Sequence, residues 1–131
     1  MEDHPNHVVA RRMWAAIASG DGPGMRNLLS DKSIWRMPGA SPLAGTYVGA
    51  DAIAEFMARA GDLTDDLRVD LIDIFVSQRG AVLHYALHAY RGPQQLDTEQ
   101  LVITRIARGK IVRAVFAPID QQAYDRFFSP H

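Results

Sequence analysis

Between Val9 and Ile17 the apolar residues recur at helical spacing, as Val9, Met13, Ala16 and Ile17. Gly20 then ends the run with a residue free to turn left-handed. Asp21 is placed to cap a second, short helix with Pro23 in its first turn and Met25, Leu28 and Leu29 on its inner face. Ser33 to Met37 reads as a strand. Pro38-Gly39 opens a loop of small residues running to Gly45, and Thr46 to Val48 is a second short strand. From Gly49 a third helix turns Ile53, Phe56, Met57 and Ala60 inward and stops at Gly61.

From Leu67 onward the period changes to two. Leu67 to Ser77, Ala81 to Arg91, Leu96 to Ile106 and Ile111 to Ala117 read as four strands. Arg79-Gly80, Gly92-Pro93 and Arg108-Gly109 separate them, all short enough for antiparallel hairpins. Asp120 caps a last helix presenting Ala123, Tyr124, Phe127 and Phe128. Helices come first and a meander follows, so the class is α+β rather than α/β. No repeat or linker divides the chain, and residues 1–131 are read as one domain.

The strand from Ala81 to Arg91 says more. Val82, His84, Ala86, His88 and Tyr90 share one face, read here as the inner one. Ala81, Leu83, Tyr85, Leu87 and Ala89 share the other. Both faces are apolar enough to be covered, yet the helices can cover only one. The remaining, convex face is expected to pack on a second copy in a homodimer.

Composition narrows the function classes. Fourteen Lys plus Arg stand against fifteen Asp plus Glu, and no basic run exceeds Arg11-Arg12. Nucleic acid and anionic membrane are therefore not the expected partners. The chain has no cysteine, which removes disulfides, thiolate metal sites and cysteine nucleophiles. The polar stretch Met1 to His7 does not lead into an apolar run, and a cytoplasmic location is expected.

The segment from Trp35 through Pro38-Gly39 and Pro42 to Gly49 resembles the hallmark loop of SnoaL-like proteins, of the nuclear-transport-factor-2-like superfamily. Arg108-Gly109-Lys110-Ile111-Val112 is similar to that family's last hairpin, and Asp120 to Phe127 to its closing helix. The resemblance implies helices over a cone-shaped, curved antiparallel sheet, a blind pocket, and usually a dimer. Its members include polyketide cyclases, ketosteroid isomerases and epoxide hydrolases. The isomerase positions fall at Met13, near Met37, at Val102 or Leu101, and at Met57, all apolar here. Arg36 stands where many relatives have histidine. Carbanion chemistry needs a carboxylate base and an acidic oxyanion partner, so ketosteroid isomerisation is excluded.

On the inner face as read, the polar residues are His84, His88, Tyr90, Gln100 and Thr104. Four strand residues separate the histidines by about 13 Å, too far to share a metal, and no cofactor is expected. The hairpin register decides their partners. A three-residue loop sets His88 opposite Thr98 with Gln100 inward; a two-residue loop sets His88 opposite Asp97 and turns Glu99 inward. The longer loop is preferred, because the shorter would bury both acids. Asp70 lies opposite His88 unless a bulge intervenes, and the apolar phase shifts between Leu71 and Ile72. Trp14, Trp35, Met37, Tyr47, Phe56, Met57 and Phe116 are expected to wall the pocket. The expected function is cyclisation or isomerisation of a small hydrophobic, polyketide- or terpenoid-like metabolite. His84 or His88 would move a proton, with Asp70 behind His88, and Tyr90 or Gln100 would donate a hydrogen bond. The alternatives are a non-catalytic ligand-binding dimer and a structural dimer with a filled pocket.

Overall fold

A computed structural model describes residues 4–129; residues 1–3 and 130–131, including the start of the polar stretch from Met1, lie outside it. Helix α1 spans Pro5–Ser19, and its buried face is Val9, Ala10, Met13 and Ala16. Gly20 closes it at φ 67°. Asp21 Oδ1 accepts from the Gly24 amide at 2.9 Å and starts α2, Gly22–Arg26. Helix α2 is shorter than the apolar pattern predicts. Leu28 and Leu29 leave it, and Leu29 opens β1, Leu29–Met37. The strand gains its extra residues by parallel pairing with β6, where Leu29 lies beside Ile111.

Strand β2 (Gly45–Val48) folds back on β1, and α3 (Ala50–Asp62) buries Ile53 and Phe56. Strands β3 (Asp66–Val76), β4 (Gly80–Arg91), β5 (Gln94–Ala107) and β6 (Lys110–Pro118) form the expected meander. Helix α4, Gln121–Phe128, is capped by Asp120, whose Oδ1 accepts from Ala123 N at 3.0 Å. The six strands make one curved open sheet in the order β2-β1-β6-β5-β4-β3, with only the β1–β6 pairing parallel. No helix among the described residues is long and apolar enough to cross a membrane.

Two linked readings of the sequence are overturned. Arg91 pairs with Gln94, so the β4–β5 loop is the two residues Gly92 and Pro93, not three. And the face of β4 turned to the helices is Ala81, Leu83, Tyr85, Leu87 and Ala89, each at most 6% exposed. His84, His88 and Tyr90 lie on the opposite, outer face. The physical reason is burial. The first set is apolar throughout, whereas the second carries two imidazoles that would need internal partners. With this face inward, the short loop places Gln100 beside Tyr85 and Val102 beside Leu83, while Asp97 and Glu99 stay outside. The feared burial of acids does not arise.

The expected bulge is present: pairing of β3 with β4 shifts between Leu71 and Asp73, leaving Ile72 as the extra residue. Gly80, at the start of β4, lies flat against β5; a Cβ there would stand 2.0 Å from the Thr104 carbonyl oxygen. Neither backbone can retreat without breaking the Thr104–Ala81 hydrogen bonds at 2.7 and 3.1 Å. Gly80→Ala is expected to destabilise the fold by about 1–3 kcal/mol, seen as a lower urea midpoint. An unchanged midpoint would show that the hairpin can open at this point.

Candidate functional site

Trp35 and Met37 project from β1, Phe116 from β6, Gln100 from β5, and Tyr85 and Leu87 from β4 toward one cavity. Helix α3 adds Phe56 and Met57, and α4 closes a side with Tyr124 and Phe128. The cavity has a volume of about 190 Å³. One wall is an aromatic cluster. Trp35 packs on Phe116 with ring centroids 5.2 Å apart and edge-on to Phe56 at 6.3 Å, and Phe56 meets Phe116 at 5.5 Å. Such tilted and edge-on arrangements set the positive ring edge against the negative face.

Among the described residues lining this cavity none is Asp, Glu, His, Lys or Arg. Its ionisable groups are two tyrosines. Burial holds the Tyr85 phenol far above its ordinary pKa, against the lowering effect of its hydrogen bond to Gln100. Burial also raises Tyr124, helped by Tyr85, Asp125 and Tyr47. Both therefore stay protonated throughout the neutral range. Gln100 Nε2 donates to the Tyr85 hydroxyl at 2.6 Å, which leaves the Tyr85 proton free for another acceptor. Two polar atoms in the wall have no partner among the described residues: Trp35 Nε1 and Gln100 Oε1. Leaving such a group unmatched costs about 1–3 kcal/mol.

Of the wall expected from the sequence, Trp35, Met37, Phe56, Met57, Gln100 and Phe116 line the cavity. Trp14, Tyr47 and Tyr90 do not. Trp14 packs its ring on Tyr85 at 5.2 Å. Tyr47 stacks on Phe56 at 4.8 Å and donates its hydroxyl to the Leu43 carbonyl at 2.6 Å, which makes it a brace behind the wall. Tyr90 points outward and is 43% exposed.

The histidines form a separate constellation on the outer face. His84 Nε2 donates to Glu99 Oε1 at 2.6 Å. His88 sits between two carboxylates, with Nδ1 2.6 Å from Asp97 Oδ1 and Nε2 3.6 Å from Asp70 Oδ2. The tight β3–β4 hairpin, pairing Val76 with Ala81, and the bulge each shift the register by one residue, so Asp70 lies opposite Ala86 and reaches His88 diagonally. Asp70 is therefore not paired directly with His88, and their 3.6 Å approach lies outside the cavity. Among the described residues no group of three or more His, Asp or Glu could hold a metal ion.

A family model of the SnoaL-like domain matches residues 10–114. The chain belongs to the SnoaL-like family. Uncharacterized proteins of Mycobacterium tuberculosis and Mycobacterium bovis are 27% identical over 131 residues, covering 98% of this chain and all of theirs. Bal32a, from a soil-derived mobile gene cassette, superposes with a TM-score of 0.88 at 27% identity, over 95% of this SnoaL-like chain and 96% of its own. A candidate SnoaL-like polyketide cyclase from Jannaschia sp. CCS1 has a TM-score of 0.79 at 13% identity, with 100% and 99% covered, and shares the fold alone. The same holds for TerC, solved with polyporic acid, with a TM-score of 0.84 at 17% identity over 95% of this chain and 98% of its own.

Tyr85, Leu87, Tyr124 and Phe128 of this SnoaL-like domain were not expected in the wall. The signal for Tyr85 was the unbroken apolar face on which it sits. For Tyr124 and Phe128 it was their i, i+4 spacing on the last helix.

The outer cluster gives a titration prediction. The His88 hydrogen bond leads the causes holding Asp97 below the ordinary carboxylate value; desolvation opposes it, and Gln95 and the charges of His88 and Arg68 add to it. A depressed carboxyl stabilises the fold above its unfolded pKa, and that contribution is lost as pH falls through the folded value. Carbon-detected NMR titration should place the Asp97 midpoint below the ordinary carboxylate value, and His88→Ala should move it upward. A midpoint unmoved by His88→Ala would mean that the contact is not maintained in solution.

Proposed function

We propose that this SnoaL-like domain binds a small, uncharged, largely apolar molecule in the cavity between the concave sheet face and α3 and α4. The observation that carries this reading is the absence of any charged side chain from the described lining, together with its aromatic wall. A charged ligand would shed its hydration there without gaining a counter-ion. An apolar cavity of ~150 Å³ holds benzene, so about 190 Å³ suits one or two fused rings. Ala60 lines the cavity from α3, and Ala60→Phe should fill it. Calorimetric titration with 1-tetralone should show at least a tenfold loss of affinity in Ala60→Phe. His84→Ala and His88→Ala, on the other face, should bind as the parent does. Equal binding by Ala60→Phe would place the ligand elsewhere.

One observation favours a second reading, in which the bound polyketide- or terpenoid-like molecule is cyclised or isomerised. Tyr85 accepts from Gln100 and keeps its own proton, so it can polarise a carbonyl oxygen. The cavity would supply the folded conformer and the hydrogen bond rather than a base. Neither outer histidine takes part in this reading.

The outer sheet face supports the homodimer. Phe75, Val82, Leu101, Ile103 and Val115 form an apolar band across it, with Phe75 54% and Ile103 47% exposed. On one side of the band stand Asp70, Asp97 and Glu99; on the other, Arg105 and Arg113 face each other directly across β5 and β6. Like charges so placed repel unless a counter-charge comes between them. A second copy related by a two-fold axis brings band onto band and acids onto arginines, a self-complementary pairing. Sedimentation velocity should give a dimer for the parent and a monomer for Ile103→Glu. A monomeric parent at tens of micromolar would remove this reading.

A further inference from the structure

The two unpartnered polar atoms in the cavity wall are of opposite kind. Trp35 Nε1 can only donate; Gln100 Oε1 can only accept. Trp35 is 1% exposed and Gln100 4%, so bulk water does not serve them. Both residues line the cavity, Trp35 from β1 and Gln100 from β5, with β6 between those strands. Everything around them is apolar or aromatic apart from the tyrosine hydroxyls. With Nε2 donating to the Tyr85 hydroxyl at 2.6 Å, Oε1 is the free end of the Gln100 amide.

We propose that the ligand is a neutral bicyclic-sized molecule with a carbonyl or ether oxygen that takes the Trp35 indole proton. At a second position it carries a hydroxyl that donates to Gln100 Oε1. This assignment rests on the binding reading above and goes beyond it by naming the functional groups. A ligand lacking either group leaves one wall atom dry and unmatched, and a site built to hydrogen-bond a group rejects the analogue without it. Tyr85 strengthens the Gln100 end. The amide that accepts the ligand hydroxyl already donates to the Tyr85 oxygen, so the two bonds polarise each other.

The test is calorimetric titration of the full chain at neutral pH with four probes: tetralin, 1-tetralone, 2-naphthol and 6-hydroxy-1-tetralone. The expected order puts 6-hydroxy-1-tetralone first, roughly five- to tenfold tighter than either singly substituted probe, and tetralin last. Trp35→Phe keeps an aromatic side chain and removes the donor. It should erase the advantage of the carbonyl and leave the preference of 2-naphthol over tetralin intact. Gln100→Leu should do the reverse. The double variant Tyr85→Phe/Gln100→Leu removes both ends of the internal hydrogen bond, and should unfold at nearly the parent temperature while still losing the hydroxyl preference.

Equal affinities for all four probes, unmoved in the variants, would mean that water satisfies both atoms, and would overturn the inference while leaving the binding reading in place. A Gln100→Leu loss confined to 1-tetralone would overturn the acceptor role. Failure of all four probes to bind at millimolar concentration would sink the binding reading itself.

Discussion

Only Gly92 and Pro93 reverse the chain between β4 and β5, and the pairing of Arg91 with Gln94 on either side of them sets the register of the two longest strands. Gly92 adopts φ 57°, a conformation that a side chain would make costly. With that turn, every inward residue of β4 meets an inward residue of β5: Leu83 with Val102, Tyr85 with Gln100, Leu87 with Thr98. A slip of one residue would exchange the faces of β5 and drive Asp97 and Glu99 beneath the helices. The cost of burying two carboxylates far exceeds the preference of any turn type, so the turn and the burial pattern enforce each other.

From this pairing follows the division of the sheet into two chemistries. Inside, the apolar row of β4 joins Val102, Phe116 and Trp35 in a continuous surface on which α1, α3 and α4 rest. Outside, the same strands carry the His84–Glu99 and His88–Asp97 pairs and an apolar band with arginines beyond it. Solvent-screened pairs of this kind contribute little to stability. They do keep a broad antiparallel sheet face hydrated over part of its area, and they set limits on what can dock against the rest.

The order of elements, both aspartate caps, the meander and even the β3 bulge are legible from periodicity and turn chemistry. The sidedness of β4 is not. Both of its faces are apolar enough to be core, and the polar residues of one of them look like a pocket lining when the strand is taken alone. The choice needs the neighbour. Asp97 and Glu99 on β5 share a face with His88 and His84 only in the two-residue register, and a turn of Gly-Pro does not announce its own length. The site divides the same way. Trp35, Met37, Phe56, Met57, Gln100 and Phe116 follow from strand parity and helix spacing. Tyr85 was lost with the inverted face. Tyr47 and Trp14 sit one layer behind the wall, a distinction that periodicity cannot make because both point inward.

The inverted face also changes what chemistry the domain can host. With His84 and His88 inside, proton transfer near neutral pH would be available to a bound molecule. With them outside, the wall offers hydrogen bonds from groups that hold their protons: two tyrosines whose pKa values burial raises, an indole and an amide. Such groups cannot abstract a proton from carbon, which requires a base ionised at working pH. They can hold a flexible apolar molecule in one folded shape and polarise a carbonyl by donating to its oxygen. Reactions that close a ring between groups already reactive need little more than that, because bringing the two ends together is most of their barrier. Reactions that begin with removal of a C–H proton need a base that the described cavity wall does not contain. Any ring closure proposed for this cavity therefore draws on the hydrogen-bond donors of the wall rather than on a charged side chain.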